Sequence, residues 1–438
     1  MLNSNRLNFL AFCGIILVTG ALSSPSIGVA KGRLNQTKIV ESLTREFKEN
    51  YVFPETAAKM EAALKQNLAD GRYKDIDDPE ILASRLKADL IEVSHDKHIN
   101  VFYMEQDPGN AEVNPAVQAK EVAEMASSNF GFKRLEILPG NIGYIDLRGF
   151  MPAEYGGPTA VAAMKYMANT RALIFDLRNN GGGSPSMIQL LTSYLVAAPT
   201  HLNTFYVRKS NSEEQFWTAA HVDGPRYLDK EVYVLTSGGT FSAAEEFSYN
   251  LKNMKRATLV GETTGGGAHP VNFHYLKDIK FAAMIPFGRA INPITKTNWE
   301  GTGVEPDVKV KTEEALIKAH SLALEILLKK TKDADDRKRI SWALDTVKSQ
   351  RSPLTLKAET LKSYVGQYGD RVIALENEQL VYTRGTRKSR LIPLDNDRFA
   401  VEGLDYFRVQ FNRDGKGQLV SLSGLYEDGK TDKSERSK

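Results

Sequence analysis

Only one cysteine stands in the 438 residues, Cys13, and it lies inside an apolar stretch near the N-terminus. Once that stretch is removed the chain has no thiol, which excludes disulfides, cysteine nucleophiles and cysteine metal sites. Histidine is sparse, with seven residues, and no paired zinc-type spacing links them, so neither a metal nor a cofactor is expected. An excess of either charge is missing too. The 57 basic and 54 acidic side chains leave a formal charge of +3, too slight a bias to suggest nucleic acid as a partner. With 42% hydrophobic and 25% charged residues, the chain has neither the apolar excess of a polytopic membrane protein nor the depletion that marks disorder.

What is present begins with a leader-like segment. Asn5 and Arg6 precede an apolar stretch from Phe9 to about Leu22, which Ser23, Ser24 and Pro25 break before Gly28-Val29-Ala30. This pattern predicts a signal peptide over residues 1–30, with cleavage after Ala30 or, as a second candidate, near Ala21. The mature chain would begin near Lys31 and be exported, periplasmic or secreted, with no stable membrane insertion after cleavage. Phe12 before Cys13 does not supply the small residue that a lipoprotein signal needs.

The length suggests two or three domains. Residues 31–99 read as a small helical bundle: Ile39, Leu43 and Phe47, then Ala57, Met60 and Leu64, then Leu82, Leu86 and Leu90 recur at helical spacing. Residues 100–350 read as an α/β core with a charged helical hairpin at its end. A strand at 100–103 is followed by a polar stretch with Pro108, Gly109 and Pro115 that reads as a loop. Apolar runs at 142–147, 172–177, 232–235 and 257–260 then predict strands buried on both faces. Residues 351–427 read as a small all-β domain with strands at 372–375, 379–383, 407–411 and 419–422, and 428–438 as a disordered tail.

Two stretches carry chemistry. Asp176-Leu177-Arg178-Asn179-Asn180-Gly181-Gly182-Gly183 follows a buried strand, and its glycines let backbone N–H groups approach a ligand, although a plain turn explains them equally well. Thr236-Ser237-Gly238-Gly239-Thr240-Phe241-Ser242-Ala243-Ala244-Glu245 also follows a strand and opens a helix. Ser242 could be no more than a helix cap. The same geometry suits a nucleophile, because the N–H of Ala243 and the positive end of the helix would face a developing oxyanion. On chemistry alone, Ser237 and Thr240 compete for that role.

These two stretches, followed by Gly261-Glu262-Thr263-Thr264-Gly265-Gly266-Gly267 and by Glu300-Gly301-Thr302-Gly303-Val304-Glu305-Pro306-Asp307-Val308, resemble in order and spacing the core of the S41 serine peptidases. That family includes the carboxyl-terminal processing proteases and the tricorn core. The likeness covers roughly residues 36 to 330 and implies an α/β crotonase-like core. Processing proteases pair their serine with a lysine in the glycine-rich motif, and Gly267 stands at that position here. The tricorn-like branch uses a histidine before the core and a glutamate in the Glu-Gly-x-Gly-Val-x-Pro-Asp motif, and here His98 and Glu300 match them. The resemblance thus implies Ser242 as nucleophile, His98 as general base and Glu300 as the carboxylate that orients the imidazole. His95 is the rival base. His269 and His274 could line the cleft or hold a metal. Where the tricorn branch has a serine before its histidine, this chain has Lys97.

The resemblance also implies an oxyanion hole from the N–H of Ala243 with that of Gly182 or Gly183, while Asp176 and Arg178 hold the turn. About forty residues separate His98 from Asn141, too few for the PDZ domain common in processing proteases, which needs on the order of 80 to 100. Tyr51-Val52-Phe53-Pro54-Glu55 looks like the N-terminal region of retinoid-binding S41 relatives. A peptide or protein is the expected substrate. Two other readings share the fold: a carrier of an apolar ligand, for which a complete triad is unnecessary, and an esterase or amidase for small substrates. Glu300 beside His98 is expected to raise the imidazole pKa above its ordinary value.

Overall fold

A computed structural model describes residues 34–109, 114–351 and 354–437, so the signal peptide expected over residues 1–30 lies outside the described residues. No helix among the described residues is long and apolar enough to cross a membrane. The chain divides into two units, one comprising Met1–Glu136 and Gly143–Thr312, the other Ile137–Ile142 and Glu313–Lys438.

The first unit opens with three helices, α1 (Gln36–Asn50), α2 (Pro54–Ala69) and α3 (Pro79–Ser94). Their starts are set by local chemistry. The Asn35 side chain accepts the Lys38 N–H, the Asp78 carboxylate accepts those of Glu80 and Ile81, and prolines open α2 and α3, where no N–H is required. The apolar positions at helical spacing are buried, but not in a free-standing bundle. They share one core with Val101 of β1 (Asn100–Tyr103) and with Phe281, Ala283 and Ile285. The expected boundary at residue 99 therefore cuts through a packed core, and the strand just after His98 is anchored from both sides. The stretch read as a loop carries α4 (Pro115–Ser127), with Pro115 at its first turn and Asn114 as cap. A proline there starts a helix rather than breaking one.

The α/β core contains β2 (Phe132–Leu138), β3 (Ile142–Leu147), α5 (Ala153–Met167), β4 (Ala172–Asp176), α6 (Pro185–Ser193), β5 (His201–Val207), β6 (Ser212–Trp217), β7 (Glu231–Thr236), α7 (Ala243–Asn253), β8 (Thr258–Gly261), β9 (Val271–Leu276), β10 (Phe281–Pro286), β11 (Gly288–Ile291) and β12 (Val308–Lys309). The main sheet has the order β12-β8-β7-β4-β3-β2, with β4, β7, β8 and β12 parallel. Every residue of β3 and β4 is buried, as expected for strands covered on both faces. Two three-stranded sheets, β1-β10-β9 and β11-β5-β6, complete the unit.

Because β4 and β7 are parallel neighbours, with Asp176 opposite Leu235, their carboxyl ends deliver two turns side by side. The Thr240 hydroxyl donates to the carbonyl of Leu177 (2.8 Å), that of Ser237 to Arg178 (2.6 Å), and the Phe241 N–H to Asn180 (3.0 Å). Crevices at the carboxyl ends of parallel strands are where α/β folds place their chemistry.

The second unit holds α8 (Ala315–Lys330), α9 (Ala334–Arg351), α10 (Ala358–Tyr364) and an eight-stranded antiparallel meander, β13 (Gly366–Tyr368), β14 (Arg371–Glu376), β15 (Gln379–Arg384), β16 (Arg387–Pro393), β17 (Arg398–Val401), β18 (Leu404–Arg413), β19 (Leu419–Tyr426) and β20 (Thr431–Glu435). The four expected strands fall within β14, β15, β18 and β19. The helical hairpin, assigned by sequence to the α/β core, groups instead with this sheet. The buried Arg408 guanidinium lies 3.7 Å over the Trp342 ring of α9 and donates to the Thr346 hydroxyl (2.8 Å), and Trp342 donates to the Asp405 carbonyl (2.8 Å). The tail expected to be disordered forms β20, paired with β19. It lacks the apolar alternation that signals a strand, and an ion pair from Asp432 to the buried Arg371 (2.6 Å) supports it instead.

Candidate active site

Ser242 closes the turn after β7 and stands at the N-cap of α7, half-buried, with φ 54° and ψ −120°. A non-glycine residue held at such a backbone conformation costs on the order of 1–3 kcal/mol, and strain of this kind concentrates at functional positions. The conformation is over-determined by the buried Glu245 carboxylate. It accepts the N–H groups of Ser242 (2.9 Å), Gly266 (2.7 Å) and Gly267 (2.9 Å) and the Thr264 hydroxyl (2.5 Å). Thr264 in turn accepts the N–H of Val304 (2.7 Å). One carboxylate thus ties the serine turn, the glycine loop and the Glu300–Asp307 motif together. Burial pushes its pKa up, and those donors oppose the rise. From sequence, Glu245 reads only as a first-turn acid, so this role was not visible.

The glycine turn lies directly against the serine. A Cβ on Gly182 would stand 2.8 Å from the Ser242 Cβ and 3.1 Å from the Ala243 nitrogen, so only glycine fits there at φ 114°. Of the two glycines expected to offer an N–H, Gly182 has given its own to Oδ1 of Asn180 (2.9 Å). Arg178 grips Asp176 with two nitrogens (2.9 and 2.6 Å) and donates to the Thr312 carbonyl (2.7 Å), while the Tyr144 hydroxyl donates to Asp176 (2.6 Å). Both residues hold the turn.

His98 packs on Phe241, the residue before Ser242, with ring centroids 4.7 Å apart. A Cβ on Gly267 would lie 2.6 Å from the His98 Cε1 and overlap the Phe241 ring. The imidazole therefore stands directly against Gly267. Its backbone N–H donates to Oδ1 of Asp96 (3.1 Å), and its Nδ1 is enclosed without a hydrogen-bond partner among the described residues. Burial lowers its pKa to about 4, with Asp96 opposing and His269 adding to the fall. The rise expected from Glu300 is not found, because burial outweighs the charge that favours the imidazolium. A neutral imidazole at pH 7 can accept a proton. His95, the rival, is exposed and ends α3 in a left-handed conformation.

Glu300 follows Trp299, whose indole N–H donates to the Gly267 carbonyl (2.6 Å). Its Oε2 accepts the Ala268 N–H (2.5 Å), and its Oε1 is buried without a partner among the described residues. Oε2 also stands 3.5 Å from Nδ1 of His269, which in turn lies 2.7 Å from Oδ2 of Asp96. The structure thus brings Glu300 to His269 and Asp96, two residues to which sequence reasoning gave no catalytic part. Burial and the Asp96 charge push the Glu300 pKa up to about 7, with His269 opposing. Asp96 is held low against the cost of its burial, chiefly by the His269 hydrogen bond and charge. Asp96, His269 and Glu300 offer donor atoms within 4.8 Å of one another, and the 2.7 Å between His269 and Asp96 is a hydrogen-bonding distance. His274 lies elsewhere, on β9 beside Glu46. Lys97 donates to the Gly265 carbonyl (2.5 Å) and tethers the glycine loop.

Residues 141–310 match the model of Peptidase family S41, and residues 21–131 that of the N-terminal domain of Peptidase_S41 in eukaryotic IRBP. The chain is 33% identical over 130 residues to the "Carboxyl-terminal-processing protease" of Synechocystis sp., covering 29% of each chain. It is 24% identical over 180 residues to the "Probable CtpA-like serine protease" of Staphylococcus epidermidis, covering 40% of this chain and 34% of the relative. It therefore spans about a third of the length of these curated relatives. A solved structure from Parabacteroides merdae aligns with a TM-score of 0.45 and 20% identity, covering 67% of this chain and 95% of that one. Over residues 21–131 and 141–310 the chain is thus similar to S41 peptidases.

Proposed function

We propose that the chain is an exported serine peptidase of the Ser–His–Glu type on a crotonase-like core, cutting peptide bonds through an acyl-enzyme on Ser242. His98 takes the serine proton and later returns it to the leaving amine. Glu300 orients the imidazole and stabilises its cation. The N–H groups of Ala243 and Gly183 face the oxyanion, since that of Gly182 is engaged by Asn180. The observation that supports this reading is the ground around Gly267: a side chain added there would meet the Phe241 ring, and the His98 ring stands beside it. His98 and Glu300 make no hydrogen bond to each other as they stand. Nδ1 of His98 and Oε1 of Glu300 are both buried and unmatched among the described residues, one able to donate and the other able only to accept. Hydrogen-bonding to each other would satisfy both.

A carrier of apolar ligands has no need of the complete triad, and two clefts elsewhere are lined by charged groups, among them Lys252, Arg256 and Asp307 in one and Lys388, Arg390 and Glu402 in the other. The test is turnover of an unstructured protein such as casein beside turnover of a small activated ester. The mature chain should cleave casein, and Ser242→Ala should not. Ester cleavage without peptide cleavage would support the esterase reading instead.

A further inference from the structure

We propose that His269 is a positioning residue, its Nδ1–H fixed by Asp96 and facing Oε2 of Glu300, that favours the ionised form of Glu300 and aligns its carboxylate for His98. This rests on the Ser242–His98–Glu300 reading. The tautomer follows from the acceptors. Asp96 takes the Tyr51 hydroxyl (3.1 Å), the His98 N–H (3.1 Å) and the His269 ring (2.7 Å). An ionised carboxylate can only accept, so Nδ1 of His269 carries the hydrogen. The 3.5 Å approach to Glu300 is then an electrostatic contact alongside that hydrogen bond. The ring is buried, with 6% of its side chain exposed, and it meets Phe53 edge-on with centroids 5.5 Å apart, so it has little freedom to turn.

The cluster needs a cation. Asp96 and Glu300 bring two carboxylates into one poorly solvated place, where like charges disfavour ionisation of the second. The facing titratable groups are Tyr51, Asp96 and His98 from the N-terminal segment, Glu245 from α7 and Arg289 from β11. Of these, Glu245 adds to the burden on Glu300. Burial works against a charge on His269, but the Asp96 hydrogen bond and the charges of Asp96 and Glu300 prevail and hold its pKa above the ordinary value. An imidazolium there offsets one of the two negative charges. Without it, the Glu300 pKa would rise further, and a protonated carboxyl is a weaker acceptor for Nδ1 of His98 and carries no charge to stabilise its cation.

The experiment measures the rate at which a fluorophosphonate modifies Ser242 in the mature chain between pH 5 and 9, for the wild type, His269→Ala, His269→Asn and His98→Ala. Loss of labelling in His98→Ala establishes the underlying reading by itself. With that in hand, His269→Ala should slow labelling about tenfold at pH 7, and the deficit should shrink towards pH 9 as Glu300 ionises. Asparagine can place an N–H near Nδ1 but carries no charge. His269→Asn should therefore recover alignment while its acid limb stays about one pH unit above that of the wild type. A merely structural role would slow both variants equally at every pH, and that outcome, or wild-type rates in both, overturns the proposal while leaving the triad reading intact. If His269→Ala does not fold, the acid limb of His269→Asn decides alone, and an unshifted limb refutes the proposal.

Discussion

Gly267 offers the sharpest test of whether a lysine dyad could be housed in this chain. Its φ is not in the left-handed region, so a side chain there meets no backbone strain, and any penalty is steric. The added Cβ of Gly267→Ala would stand 2.6 Å from the His98 Cε1 and 2.5 Å from the Phe241 Cε2, and would overlap the Phe241 Cζ, well inside the roughly 3.5–4.0 Å at which carbons pack. Relief requires one ring to move by about 1 Å. Overpacking of this kind costs typically about 1–3 kcal/mol. The kinetic penalty should exceed what the stability loss alone suggests, because Phe241 precedes the nucleophile and His98 is the base, and a misplacement of about 1 Å in such a group can cost about a hundredfold. Urea unfolding and the rate of Ser242 phosphonylation measure the two effects. Gly267→Lys should be at least as damaging and should not rescue His98→Ala. Wild-type stability and labelling in Gly267→Ala would refute the packing argument, and rescue of His98→Ala by Gly267→Lys would show that a dyad can be housed here.

Other outcomes follow from the same geometry. His98→Ala should lower kcat by about 10⁴-fold, as loss of a triad base does, whereas His95→Ala should stay within about twofold in a peptide-cleavage assay. Glu245→Ala would strand the N–H groups of Ser242, Gly266 and Gly267 at about 1–3 kcal/mol each if they remain dry, so urea unfolding should register a loss of at least about 3 kcal/mol. In the wild type, kcat/KM should fall as pH drops through about 7, where Glu300 takes up a proton, and again through about 4, where His98 does. A chain ending at Thr312 should keep Ser242 labelling, whereas one ending at Arg351 should be poorly soluble, because it retains Trp342 without the Arg408 that covers it.

Much of the fold was legible because periodicity reports burial. Strands buried on both faces, such as 142–147 and 172–176, read as unbroken apolar runs, and the N-terminal helices showed their apolar spacing. Grouping was not legible. That α1–α3 share a core with β10, or that α9 packs on β18 through Arg408, depends on contacts across some 60 to 240 residues that no local pattern encodes. Thr431–Glu435 was missed because its strand is held by a buried arginine rather than by its own apolar face. At the site, the motif order brought Ser242, Gly182 and Gly267 to notice. The hub Glu245 and the Asp96–His269–Glu300 cluster stayed hidden, since a carboxylate next to a helix start and a histidine after glycines both have commonplace explanations. Only the fold brings Asp96 and His269, 173 positions apart, to hydrogen-bonding distance.

The central claim is that Ser242 is the nucleophile. Its most direct test is to incubate the mature chain with a fluorophosphonate probe at pH 8, digest it and locate the modified residue by mass spectrometry. The expected result is a single adduct on Ser242, formed faster than in heat-denatured protein and abolished in His98→Ala. An adduct on Ser237 or Thr240, or labelling of Ser242 that persists at full rate without His98, would contradict it.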